Sequence, residues 1–148
     1  MKTVRNLLNE KGAQVWSAAP GTPVFEALRL MAEKDIGALV VLEGDKIAGI
    51  FTERDYARKI ALLGKASRNT PIAETMTTPV ITVGPKQSVL ECLAVMSRQR
   101  IRYLPVVEQG RVAGMISIGD VLNAIIADQE DALQRLERAA RGDSDWLA

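Results

Sequence analysis

The sequence predicts a mixed α/β (α+β) fold: two tandem β-α-β-β-α repeats packed face to face through their sheets, with a short N-terminal helix and a longer C-terminal one. Two observations carry this prediction. Displacing the chain by 65 residues aligns Val15 to Leu62 with Val80 to Ala127 without a gap, and fourteen pairs are identical, among them Pro20/Pro85, Met31/Met96, Gly49/Gly114 and Asp55/Asp120. Many other pairs exchange like for like, as Thr52/Ser117 and Ile47/Val112 do, which marks an internal duplication. Within each copy the apolar residues also switch between helical and strand spacing in the same order.

Residues 1–14 form an amphipathic N-terminal helix carrying Val4, Leu7 and Leu8, and the repeats follow as 15–63 and 80–127 around a linker, 64–79. Each repeat opens with a short strand, "VITV" (Val80 to Val83) in the second copy, and continues into a helix where Val89, Leu90, Leu93 and Met96 recur at helical spacing. In the first copy Thr22 and Pro23 read as the N-cap and first residue of that helix. The runs "ALVVLEGDKIAGIF" and "YLPVVEQGRVAGMI" then read as hairpins whose turns need glycine. "TERDYARKIAL" and "SIGDVLNAIIA" turn helical again, and about fifty residues per unit is too few to close a good core alone.

The linker "LGKASRNTPIAETMTTP" is polar, with one helical turn at most, while 128–148 continues as helix with Leu133, Leu136 and Ala140 on one stripe and Asp131/Arg135 and Glu137/Arg141 as i,i+4 pairs. Such a stripe packs on its own domain or on a second subunit. Gly142 stops the helix, and "DSDWLA" is expected to be a frayed tail.

Composition narrows the function. Of 148 residues 47% are hydrophobic and 25% charged, an ordinary globular balance, and a net charge of +1 with few aromatics argues against a dedicated nucleic-acid binder. There is no histidine, which excludes Ser-His-Asp and Cys-His catalysis and the commonest metal ligand. The single Cys92 pairs with Ala27 in the repeat and reads as a small buried thiol rather than a reactive one. Met31 and Met96 read as core packing. No stretch approaches the roughly 18 apolar residues of a membrane span, and "MKTVRNLLNEKGAQVW" has no signal-like apolar core, so the expected location is the cytoplasm.

The motif to explain is "GIFTERD" (Gly49 to Asp55) and its echo "GMISIGD" (Gly114 to Asp120). A hydroxyl followed three residues on by a carboxylate fits a helix cap, stabilising by about 0.5–2 kcal/mol. It also fits a nucleotide subsite. A carboxylate can accept from both hydroxyls of a ribose, while a helix start offers amide donors and positive dipole to a phosphate. Both readings remain open, and capping by Thr52 does not exclude ligand binding by Asp55.

With the order strand, Pro turn, helix ending in Met, "IRYLPVV", "GRVAGMISIGD", the chain resembles a stand-alone pair of cystathionine β-synthase (CBS) domains, a Bateman module, over Val15 to Ala127. The resemblance implies a homodimeric regulatory module that binds adenosine-containing ligands, namely AMP, ADP, ATP, NAD(H) or S-adenosylmethionine, in two clefts each built from both copies. It implies the ribose role for Asp55 and Asp120, with Thr52 and Ser117 as the hydroxyls. One cleft then comprises Ile50, Thr52 and Asp55, the adenine-side strand Val80, Ile81, Thr82 and Val83, and Arg102 and Tyr103, with Arg100 joining if its strand starts early enough. The other comprises Met115, Ser117 and Asp120, the wall Trp16, Ser17 and Ala18, then Gly37, Ala38 and Arg54. Because Gly37 and Ala38 stand where the first cleft has Arg102 and Tyr103, the Asp55 cleft is expected to be the stronger phosphate site.

On this reading the output passes to a separate effector protein. Two others stand beside it: a structural dimerisation or nucleic-acid-binding module with vestigial clefts, kept open by Arg98, Arg100, Arg102 and Arg111, and an enzyme acting on a nucleotide. The last finds no phosphate-cradling glycine loop, metal cluster or base-paired nucleophile in the sequence.

Overall fold

The computed structural model describes residues 1–142, so the "DSDWLA" tail lies outside the described residues. The fold is mixed α+β. In chain order it runs α1 (Val4–Lys11), β1 (Ser17–Ala18), α2 (Val24–Lys34), β2 (Ala38–Glu43), β3 (Lys46–Thr52), α3 (Glu53–Asp55), α4 (Val89–Gln99), β4 (Tyr103–Glu108), β5 (Arg111–Ser117) and α5 (Ile118–Ala140). A widened π turn (Tyr56–Ala61) extends α3, and the linker holds one 3₁₀ turn (Ile72–Glu74).

The chain divides into two compact units that do not follow the repeats. The first joins Met1–Gly12, Pro85–Leu104 and the stretch from Ile116 onward; the second joins Ala13–Gly84 and Pro105–Met115.

In the second unit β1, β2 and β3 form one sheet, with β1 parallel and β3 antiparallel to β2. Leu39 and Val41 of β2 pack with Val24, Ala27 and Met31 of α2, with Phe51 and Ile60, and with Ile72 of the linker. Trp16 packs against this cluster with the Lys34 ammonium 4.4 Å above its ring. The hairpin turns use the left-handed backbone that glycine allows: Gly44 has φ 65°, and Gln109 and Gly110 have φ 53° and 76°. In the first unit Val4, Leu7 and Leu8 of α1, Val89, Cys92 and Met96 of α4, and Val121 and Ala124 of α5 are buried. Burial, with a smaller push from Glu91, raises the Cys92 thiol to about 11, as an inert core thiol requires.

Four expectations change. The strand over Val80 to Val83 shrinks to a single parallel bridge, Val83 with Val106, in which Val83 donates to the Pro105 carbonyl and accepts from Val107. Extending that ladder toward Ile81 needs an N–H at position 105, which proline lacks. In the first copy Val40 stands there and donates to Trp16, and β1 forms.

The α2 helix starts one residue later than expected. Pro23 is its N-cap in extended conformation, its carbonyl taking the first helical bond from Ala27, and the counterpart Ser88 caps α4. Arg100 is not on a strand: it is the left-handed C-cap of α4, and β4 begins only at Tyr103. Finally, Leu133 and Leu136 are 57% and 67% exposed, so the α5 stripe is not packed on its own domain, although Asp131 and Arg135 do pair at 2.9 Å.

Candidate functional site

Each copy builds the same local device from its hydroxyl and aspartate. In the second unit the extended backbone of Thr52 ends β3 and caps α3: the Asp55 amide donates to Thr52 Oγ1 at 3.1 Å, and the Thr52 amide donates to Asp55 Oδ2 at 3.0 Å. In the first unit Ser117 and Asp120 repeat this at the start of α5, with 3.2 Å and 2.8 Å for the two bonds. A second repeated bond holds the helix start, for Glu53 donates to the Gly37 carbonyl and Ile118 to the Arg102 carbonyl. The helix-cap reading therefore holds for both motifs.

What else meets each carboxylate separates them. Asp55 is engaged at both oxygens: Thr52 Oγ1 also donates to Oδ2 at 3.1 Å, Thr77 Oγ1 donates to Oδ1 at 2.9 Å, and the Lys59 ammonium lies 3.1 Å from Oδ1. Its side chain is 8% exposed. Thr77 is placed by a bridge in which it and Ile50 exchange backbone bonds of 2.8 and 3.1 Å, and Lys59 is held by the Thr75 carbonyl at 3.0 Å.

Asp120 has a 25% exposed side chain, and among the described residues its partner beyond Ser117 is the Lys11 ammonium, 2.7 Å from Oδ2. Burial raises its pKa, but the Lys11 hydrogen bond, the Ser117 bonds and the Lys11 charge outweigh that, and the carboxyl sits below its ordinary value. Beside it a Cβ at Gly119 would meet, among the described residues, Ser117 Oγ at 3.6 Å, an ordinary van der Waals contact.

The two partner segments are related. Thr77 lies just before the second copy and meets the first copy's aspartate; Lys11 lies just before the first copy and meets the second copy's. Lys59 was legible as an i,i+4 partner of Asp55. Thr77 and Lys11 were not, because no local spacing ties them to a carboxylate 22 or 109 residues away.

The remaining expected residues are divided between the units. Of the Asp55 set, Ile50, Thr52 and Val80 to Val83 share its unit, while Arg100, Arg102 and Tyr103 belong to the other. Of the Asp120 set, only Ser117 shares its unit, whereas Trp16, Ser17, Ala18, Gly37, Ala38, Arg54 and Met115 belong to the second. Arg54, Arg100 and Arg102 are exposed, and Val83 and Ala38 are buried. Among the described residues there is no His, Cys, Asp and Glu grouping able to hold a metal ion, and no helix long and apolar enough to cross a membrane.

Comparison with known proteins adds a second line. The family model for the CBS domain matches residues 5–62 and 72–127. A mitochondrial CBS domain-containing protein of Arabidopsis thaliana, CBSX3, is 37% identical over 95% of this chain and 72% of its own length. The CBS domain-containing protein YhcV of Bacillus subtilis is 32% identical, over 73% of this chain and 76% of its own. Among solved structures, a protein with CBS domains from Burkholderia ambifaria is 47% identical with a TM-score of 0.84, covering 86% of this chain and 96% of that one. A CBS domain pair solved in complex with 5′-methylthioadenosine and S-adenosyl-L-methionine is 25% identical with a TM-score of 0.75, over 86% of this chain and 98% of that one.

Proposed function

The chain belongs to the CBS domain family as a tandem pair, and from that premise we propose that it is a regulatory module, not an enzyme, which binds an adenosine-containing ligand and passes the event to a separate partner protein. The observation that carries this reading is the duplicated cap: in both copies the aspartate is aimed by the N-cap amide, so a carboxylate is held rigidly at a helix start where a ribose diol can be received. The complex of a similar CBS pair with two adenosine derivatives supports the ligand class. AMP, ADP, ATP and NAD(H) all share the adenosine that this arrangement addresses.

Within that reading the Ser117/Asp120 end is the better ligand site, reversing the order drawn from the arginines. Its carboxylate is more exposed than that of Asp55, and its bonds to Ser117 and Lys11 both end on Oδ2, so neither uses Oδ1. Asp55, filled by Thr52, Thr77 and Lys59, acts first as structure. The exposed Leu133 and Leu136 support self-association as the route by which the signal is read, and they also favour the second reading, a structural dimerisation module.

A thermal-shift panel of AMP, ADP, ATP, NAD⁺, NADH and S-adenosylmethionine tests the proposal. Stabilisation by at least one of them, abolished in Asp120→Ala, is the expected result. No response to any at millimolar concentration sinks the sensor reading, and turnover of a bound nucleotide restores the enzyme.

A further inference from the structure

We propose that Lys11 selects ligands by the charge at the 5′ position of the adenosine, favouring a phosphate over a neutral or cationic group; this rests on the reading of Asp120 as the ribose carboxylate. Lys11 is the last residue of α1, and its backbone is firmly anchored. Val4, Leu7 and Leu8 are buried, Val4 and Arg5 donate to the carbonyls of Gln87 and Pro85 at 2.8 and 2.9 Å, and Val89 donates to that of Lys2 at 3.0 Å. The side chain is 36% exposed and carries its ammonium to 2.7 Å from Asp120 Oδ2 on a four-carbon stem.

The charge argument follows from that placement. A carboxylate alone beside the ribose repels a 5′-phosphate and attracts a cationic sulfonium. An ammonium 2.7 Å from Oδ2 offsets that field and puts a cationic charge beside the ribose acceptor, which favours an anionic 5′ substituent. At Asp55 the neighbouring ammonium comes instead from Lys59, 3.1 Å from Oδ1 and four residues along the same helical run, while the corresponding leading segment offers the neutral hydroxyl of Thr77.

The test uses the full chain, isothermal titration, and two probes with the same adenosine, AMP and the uncharged 5′-methylthioadenosine. In Lys11→Met the AMP dissociation constant should rise roughly tenfold, the loss of one charge-assisted hydrogen bond at a partly exposed site. That of 5′-methylthioadenosine should stay within about twofold, and Lys11→Arg should keep most of the AMP affinity. Unchanged AMP binding in Lys11→Met overturns the inference. So does tighter binding of both probes, which makes Lys11 a plug on the carboxylate. Asp120→Ala separates the two levels. If it binds both probes like the wild type, or if the wild type binds neither, the ribose assignment fails and Lys11 with it. If it loses both while Lys11→Met leaves AMP untouched, the inference alone fails.

Discussion

The two aspartates occupy matched positions, yet replacing them should cost very different amounts. Asp55→Ala removes the acceptor of the Thr52 amide in a half-buried cap, which costs about 1–2 kcal/mol. It also removes the acceptor of two hydroxyls inside the motif and linker, adding about 1–2 kcal/mol for polar groups left to re-solvate. The Lys59 pair adds little, since that ammonium is 42% exposed. The sum is about 3 kcal/mol. Asp120→Ala removes the same cap and, among the described residues, one further partner, Lys11, at a partly exposed pair, so about 1–1.5 kcal/mol is expected. Urea unfolding followed by circular dichroism measures both, with Asp55→Asn retaining part of the Asp55 contribution. An Asp120→Ala cost equal to or above that of Asp55→Ala refutes the division of labour between the two motifs, and with it the choice of Asp120 as the ligand end.

Acid should act through Asp120: its folded pKa lies below the unfolded value of about 3.9, so its stabilisation is present above that pH and is lost as pH falls through the folded pKa. In Lys11→Met its carboxyl should titrate at higher pH by NMR than in the wild type, and an unchanged midpoint contradicts the ion pair. Gly49→Ala should destabilise by about 1–3 kcal/mol, because a Cβ there falls 3.2 Å from Met76 Cβ and closer still to its Cγ and Sδ; Met76→Ala should relieve most of that loss, and additive costs exclude the clash. Pro105→Val restores the N–H that the ladder toward Ile81 lacks. The new amide at 105 should be protected in hydrogen exchange, and rapid exchange there assigns the short strand to another cause.

What the sequence determines by itself is whatever rests on short-range or periodic physics. The duplication sets the order of elements twice over, the 3.6-residue and 2-residue spacings mark helices and strands, and the hydroxyl-x-x-aspartate pair closes its own cap because the bonds span only three residues. The loss of the Val80 to Val83 strand was legible too, in Pro105, had the missing donor been counted. Tertiary structure decided the rest. Packing drew the unit boundaries across the repeats, ended α4 on Arg100 before the strand began, and left Leu133 and Leu136 in solvent. It also chose the distant partner of each carboxylate, Thr77 for Asp55 and Lys11 for Asp120. A long-range contact has no period for a sequence to display. It depends on where two anchored segments come to rest, and that gave two closely similar motifs one buried aspartate engaged at both oxygens and one more exposed aspartate bonded through Oδ2.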